Sequence, residues 1–124
     1  MAEVTVKRVA ADVNIQFHQG DDVSFSFRFK TSDDELIDLS DYEATAQIRK
    51  QAGTFDTPPL ATFVCVIDGF DLTIDLSSEE TSDLPNTSNR ALAWDLQLIN
   101  SSGKIKTFLK GDVTVDREVT REVV

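Results

Sequence analysis

The sequence predicts an all-β protein, an antiparallel β-sandwich or jelly-roll-like barrel of seven to nine strands with one short helix. Three observations predict this fold class: most segments alternate apolar and polar residues with a period of two, turn residues separate them at short intervals, and only one stretch carries helix signals. The 124 residues suit a single domain, because a chain of this size buries roughly two-thirds of the surface it exposes when unfolded.

Three strands are predicted in the first half of the chain. Residues 13–17 (VNIQF) alternate as a half-buried strand does, and residues 43–50 (EATAQIRK) alternate more weakly. Residues 23–29 (VSFSFRF) place Val23 and three phenylalanines on one face. We interpret this aromatic stripe as one wall of the core and not as a binding platform, because other segments offer apolar faces for it to pack against.

The second half of the chain adds a hairpin and three further strands. Residues 60–67 (LATFVCVI) and 70–76 (FDLTIDL) flank Asp68-Gly69, a dipeptide that suits the positive φ angles of a two-residue hairpin turn. The remaining predicted strands are LAWDLQLI (92–99), KIKTFLKG (104–111) and the valine-rich end DVTVDREVTREVV (112–124).

One short helix is predicted between the hairpin and the last strands. Ser77 is its N-cap, and Glu80 three residues later completes a capping box. Pro85 stops the helix after about two turns. We expect it to close one end of the sandwich.

The predicted domain organisation has three parts: an N-terminal extended arm (1–12), a β-sandwich domain (13–111) and a C-terminal strand or arm (112–124). Both ends are valine-rich, extended in pattern and mixed in charge. They are either ordinary edge strands or arms that add a strand to the sheet of a neighbouring protein. The residues predicted to bind partners are Val4, Val6, Val9, Val119 and Val123.

Charge and composition exclude several classes of partner. The net charge of −10 opposes binding to nucleic acid or anionic membranes, which requires clustered lysine and arginine. No apolar run approaches the roughly 20 residues that a membrane helix needs. The N-terminal residues lack the uninterrupted apolar stretch of a signal peptide, so we expect synthesis in a cytoplasm.

No catalytic, cofactor or metal site is predicted, and the protein is not expected to be an enzyme. The one histidine, His18, ends a strand beside a turn and is expected to face solvent. The one cysteine, Cys65, lies in an apolar run and is expected to be a small buried hydrophobe. Trp94 shares its parity with leucines and is expected in the core. The acidic residues of Asp21-Asp22 and 33–35 are interpreted as solvated loops, because they lack an EF-hand pattern.

Four stretches together resemble a β-sandwich module of tailed bacteriophages. They are Gly20-Asp21 leading into the aromatic strand, IDLSDYEATAQIRK (37–50), LTIDLSSEETSDL (72–84) and ALAWDLQLINSSGKIKTFLKGDVTVDREVTR (91–121). The chain is similar to the N-terminal module of baseplate upper proteins and to small capsid cement or decoration proteins. It departs from that pattern at Asn89-Arg90-Ala91, where the module often has Gly-x-Tyr. We also expect no larger receptor-binding part of the kind that follows the module in baseplate proteins.

The resemblance implies a non-enzymatic structural protein of a virion, made in the host cytoplasm and present as a homo-oligomer or in many symmetric copies. The leading expectation is a capsid cement protein that staples neighbouring subunits of the major capsid protein. The alternative is an adaptor that binds tail or baseplate proteins. A further alternative, from fold analogy alone, is a receptor- or carbohydrate-binding module, for which Phe55, Phe70 and Tyr42 are the candidate exposed aromatics.

Overall fold

The computed structural model describes residues 2–6, 9–50, 59–85 and 92–116. Within these ranges, ten strands form two facing sheets that do not close into a barrel, so the sandwich alternative is confirmed. The strands are β1 (Ala2–Thr5), β2 (Ala11–Asp12), β3 (Ile15–His18), β4 (Val23–Lys30), β5 (Glu43–Arg49), β6 (Ala61–Thr62), β7 (Val64–Asp68), β8 (Asp71–Leu76), β9 (Leu92–Ile99) and β10 (Ile105–Asp116), and helix α1 (Ser78–Ser82) follows β8.

The first sheet has the strand order β1-β4-β8-β7. Strands β4, β8 and β7 pair antiparallel, whereas β1 runs parallel to β4. The hairpin between β7 and β8 is one residue later than predicted: Asp68 pairs with Asp71, so the loop is Gly69-Phe70. Gly69 has φ +63° and supplies the positive angle that the first position of a type II′ turn requires.

The second sheet has β9 at its centre, between β5 and β10, with β6 beyond β5. Strands β2 and β3 lie end to end along the other side of β10, and both run parallel to it. Both sheets are therefore mixed, whereas the sequence predicted antiparallel pairing. The chain passes from the second sheet to the first at Phe63, which is buried between β6 and β7.

The aromatic stripe of β4 lies between the two sheets. Phe27 and Phe29 are buried, and Phe25 is half-buried against the core. The Phe27 ring stacks on Trp94 of β9 at 6.4 Å between centroids, and Phe29 meets Phe108 of β10 edge-on at 5.1 Å. The interpretation of this stripe as a core wall, and of Trp94 as a core residue, is confirmed.

A β-bulge in β10 lets two consecutive residues face the core. The pairing between β9 and β10 shifts between Thr107 and Leu109, and Phe108 and Leu109 are both buried. An extra residue in one strand changes the facing of those that follow it. The bulge therefore supplies the ring that meets Phe29.

A close backbone crossing joins the N-terminal part of the chain to the second sheet. The indole Nε1 of Trp94 donates a hydrogen bond to the Val13 carbonyl oxygen at 2.7 Å. Trp94 pairs with Gly111 of β10, where a β-carbon would overlap that same carbonyl. Beside it, the backbone N–H of Asp112 donates to Asn14 Oδ1 at 2.9 Å. The sequence predicted a strand end at Gly111, but this glycine lies inside β10. Glycine is needed there because it leaves room for the Val13 carbonyl.

Helix α1 is fixed to the turn between β3 and β4 through a buried hydroxyl. Thr81 is fully buried, and its Oγ1 donates to the Asp21 carbonyl oxygen at 2.8 Å and accepts from the Gly20 N–H at 3.0 Å. The Ser78 N–H donates to Asp22 Oδ1 at 2.7 Å. Three backbone groups at this end of the sandwich are therefore paired through side chains.

The predicted capping box is confirmed. The Glu80 N–H donates to Ser77 Oγ at 3.3 Å, and the Glu80 carboxylate accepts from the Ser77 N–H at 3.5 Å. The helix covers five residues and is shorter than the predicted two turns.

Both ends of the described chain contribute strands to the protein's own sheets. In the region predicted as an arm (1–12), β1 pairs with β4, and the Val6 N–H continues that pairing to the Lys30 carbonyl oxygen at 2.7 Å. The predicted boundary between 111 and 112 falls inside β10, which runs without interruption to Asp116. These segments are edge and inner strands because their apolar residues face this chain's own core.

We expect Gly111→Ala to destabilise the protein by about 1–3 kcal/mol, since the added methyl group displaces the Val13 carbonyl or β10 itself. Urea unfolding measures the change. Lys110→Ala is the control, because its exposed side chain makes only a 3.9 Å ion pair with Asp12, and we expect a change within about 0.5 kcal/mol. Equal stability of the two variants would contradict the importance of the crossing.

We expect Thr81→Val to lower the free energy of unfolding by about 1–3 kcal/mol. Valine keeps the shape of threonine but removes the hydroxyl that pairs with the Gly20 N–H and the Asp21 carbonyl. Urea unfolding again gives the free energy. Ser82→Ala on the same helix is the matched control, since Ser82 is exposed and its hydroxyl bonds only to Ser78 within the helix. If the two substitutions cost the same, the buried hydroxyl does not fix the helix.

Candidate interaction surface

Strand β7 forms an edge of the first sheet and carries apolar residues on both faces. Cys65 and Ile67 are half-buried against the core, whereas Val64 and Val66 point outward and are 59% and 51% exposed. Among the described residues, no strand pairs with the side of β7 that faces away from β8. With respect to the described residues, the strand therefore presents unpaired backbone groups next to two exposed valines, which is the arrangement that accepts an additional strand.

A shallow concavity of about 420 Å³ lies beside this edge, at the end of the sheet that meets helix α1. Its apolar residues are Val23, Val64 and Leu76. Its remaining described residues are the carboxylates Asp22, Asp75 and Glu80 with Ser24 and Ser77. Asp75 pairs across the strands with Val64, so a negative charge stands next to the first exposed valine.

The cations on this face of the sheet are engaged away from the concavity. Arg28 pairs with Asp71 at 2.5 Å, and Lys30 pairs with Asp34 at 3.1 Å and with Glu3 at 3.3 Å. The hydrogen bond to Asp71 raises the pKa of Arg28.

The carboxylates of Asp22, Asp75 and Glu80 differ in this respect. The ion pairs that Arg28, Lys30 and Lys110 make involve none of the three. The end of the β7 edge nearest helix α1 is therefore negative.

Cys65 lies in this strand and faces inward. It is half-buried, where the sequence predicted a buried residue, and its Sγ lies 3.8 Å from the Phe63 carbonyl oxygen. Burial raises the pKa of the Cys65 thiol, and the nearby Asp75 carboxylate raises it further. The thiol is therefore held in its neutral form at neutral pH.

The structure describes three of the five predicted partner-binding residues. Val4 and Val6 are half-buried and pack against the protein's own core, whereas Val9 is 74% exposed. Val119 and Val123 lie outside the described residues. A partner-binding role for these valines stays a prediction.

The exposed valines of β7 were missed by the sequence reasoning, although the sequence contains a signal for them. Residues 63–67 (FVCVI) are five consecutive apolar residues, and in a strand with a period of two they cannot all face one core. A continuous apolar run indicates a strand covered on both faces. In the described ranges no strand covers the second face, on which Val64 and Val66 are exposed.

Of the other candidate residues, Asp22 lines the concavity, whereas His18 and the acidic loop 33–35 do not. His18 is exposed at the end of β3, and Asp33, Asp34 and Glu35 are exposed in the loop after β4. Across the described ranges, no group of three or more histidine, cysteine or acidic side chains is arranged to hold a metal ion. In the same ranges, no helix is long and apolar enough to cross a membrane.

The three aromatics considered for glycan binding have different environments. Phe70 is 44% exposed at the tip of the β7–β8 hairpin. Tyr42 is half-buried, and its ring meets Phe108 edge-on at 6.3 Å. Phe55 lies outside the described residues. Of the two that the structure describes, Phe70 is the exposed ring.

No family model and no curated protein matches the sequence. Among solved structures, the fold is similar to a mutant of the SrpA adhesin from Streptococcus sanguinis, with a TM-score of 0.43 and 10% sequence identity. The match covers 84% of this chain and 55% of the adhesin chain, so this chain spans about half the length of that protein.

We expect Cys65 to react with iodoacetamide more slowly in the folded protein than in urea, and to gain reactivity only above the usual pH range of thiols, because its pKa is raised by burial. Mass spectrometry of the alkylated protein over time measures both rates. A Val64→Cys, Cys65→Ser variant is the control, since its thiol points outward on the same strand. Equal rates for the two thiols would contradict an inward-facing Cys65.

Proposed function

We propose that the protein is a non-enzymatic structural component of a tailed bacteriophage particle, a capsid cement or decoration protein that staples neighbouring subunits. The observation that carries this proposal is the open edge of β7, with its exposed Val64 and Val66. The resemblance of the sequence to phage β-sandwich modules supports the assignment to a phage particle.

The proposed binding mode is the addition of a strand from a neighbouring virion protein to this edge. Main-chain hydrogen bonds supply affinity, and the alternating side chains set the register. Each valine that becomes fully buried contributes on the order of 1.5 kcal/mol, which is small against the cost of association. Many symmetric copies on one particle compensate for weak single contacts.

The negative charge supports a position on the outer surface of a capsid. A net charge of −10 keeps the protein soluble and repels packaged DNA, so the protein is not drawn into the shell. An adaptor in the tail or baseplate is the alternative location, and it would use the same edge. The two locations differ in which part of the particle retains the protein.

We expect purified particles of the phage that encodes this chain to contain it in many copies, and separated capsids to retain it. Quantitative mass spectrometry of whole particles, capsids and tails measures its location. Retention in tails alone favours the adaptor, and absence from particles contradicts both structural roles.

We further expect the Val64→Lys, Val66→Lys variant to fold normally but to lose binding to particles that lack the protein. Lysines on an edge strand oppose the addition of another strand. Thr45→Lys with Ser102→Lys is the control, since it adds the same charge at two exposed positions away from β7, one in β5 and one in the turn between β9 and β10. Circular dichroism checks the fold of both variants. Normal decoration by the β7 variant would show that the particle is bound elsewhere.

A further inference from the structure

We propose that the β7 edge accepts a partner strand of defined chemistry, an extended segment with one apolar face and one face that carries lysine or arginine. This inference rests on the proposed function, because it specifies the partner that the same edge binds. Three features of the described residues carry it: the unpaired strand, the distribution of apolar residues on its two faces, and the charge beside it.

The inner face of β7 determines one side of the partner strand. Cys65 and Ile67 are half-buried at the margin of the core, so a strand that pairs with β7 places alternate side chains beside them. A polar group there would be desolvated without a partner, which costs free energy. Alternate residues of the partner are therefore apolar.

The outer face of β7 determines the other side. The next residues of the partner lie beside Val64, Val66 and Asp68, with Asp75 one strand further in. The stem of a lysine or arginine packs on a valine while its charged end reaches a carboxylate beyond it. Because Arg28 is engaged by Asp71, it does not supply the cation for Asp68 or Asp75. A basic partner supplies a cation for these two carboxylates.

The same charges argue against a second copy of the chain as the occupant. Pairing β7 with its equivalent would bring Asp68 and Asp75 of both copies to one interface, and each copy carries a net charge of −10. A heterologous basic strand does not meet this repulsion.

A synthetic peptide of four Val-Lys repeats, blocked at both ends, is the probe. We expect it to bind the full chain and to protect from hydrogen exchange those backbone amides of β7 that point away from β8. A peptide of four Val-Glu repeats is the matched control, because it has the same apolar face and the opposite charge. We expect the Val-Glu peptide to bind at least about tenfold more weakly than the Val-Lys peptide. Added salt should reduce this difference in affinity.

Two variants locate the site. Asp68→Asn with Asp75→Asn removes charge with little change of shape, and we expect about tenfold weaker binding of the Val-Lys peptide. Val64→Lys with Val66→Lys should abolish binding while hydrogen exchange in β9 and β10 remains that of the folded protein. Equal binding of both peptides, protection outside residues 64–68, or full binding by the valine variant would each overturn the inference.

The outcome is separable from that of the proposed function. If capsids or tails retain the protein through Val64 and Val66 but the Val-Lys peptide does not bind, the structural role stands and the basic partner is wrong. If the peptide binds at β7 but purified particles lack the protein, the basic-strand site stands and the phage role is wrong.

Discussion

The hydrogen bond from the Trp94 indole to the Val13 carbonyl is the interaction on which the rest of the sandwich depends. It holds the N-terminal segment against β10 at the single point where Gly111 leaves room for a backbone to approach. The ladder keeps one register across this point, since Leu109 pairs with Ala11 before it and Val113 pairs with Ile15 after it. Without this donor, the half-buried carbonyl would lose its hydrogen-bond partner, and that loss costs free energy.

Trp94 also connects this crossing to the opposite sheet. Its ring stacks on Phe27 of β4 and meets Phe63 edge-on at 6.0 Å, at the place where the chain changes sheets. One side chain therefore contacts the parallel N-terminal ladder, the aromatic wall and the entry into β7. The position of the open edge follows from this packing, because Phe63 fixes the residue at which the chain leaves the second sheet and begins β7.

Much of the fold could be predicted from local pattern, and what could not depends on long-range pairing. The alternation of residues 23–29 predicts the strand and its buried face, and Ser77 with Glu80 predicts the helix start, because both signals act over a few residues. Parallel pairing of β1, β2 and β3 leaves no local signal. Gly111 was interpreted as a strand end because glycine marks turns more often than it marks a close backbone approach, which only the distant Val13 explains.

The candidate surface was predictable only in part, for a related reason. The apolar run 63–67 indicates two apolar faces, but whether a neighbouring strand covers the second one depends on the strand order of the whole sheet. The sequence pattern predicts partner binding at the terminal valines, but Val4 and Val6 pack against the protein's own core. Valine-rich ends and a valine-rich edge look alike in sequence, because burial depends on partners that are distant along the chain.

The acidic charge protects the exposed β7 edge from pairing with other copies of the protein. An exposed strand with outward valines is an aggregation hazard, and proteins protect such strands by charge, by bulges or by covering them. Here the carboxylates of Asp68 and Asp75 flank the valines, and the whole chain is negative. Copies of the protein therefore repel one another at the edge where they would otherwise pair. The repulsion leaves the backbone groups of β7 available to a strand of opposite charge, so the charge that prevents self-association also selects the partner.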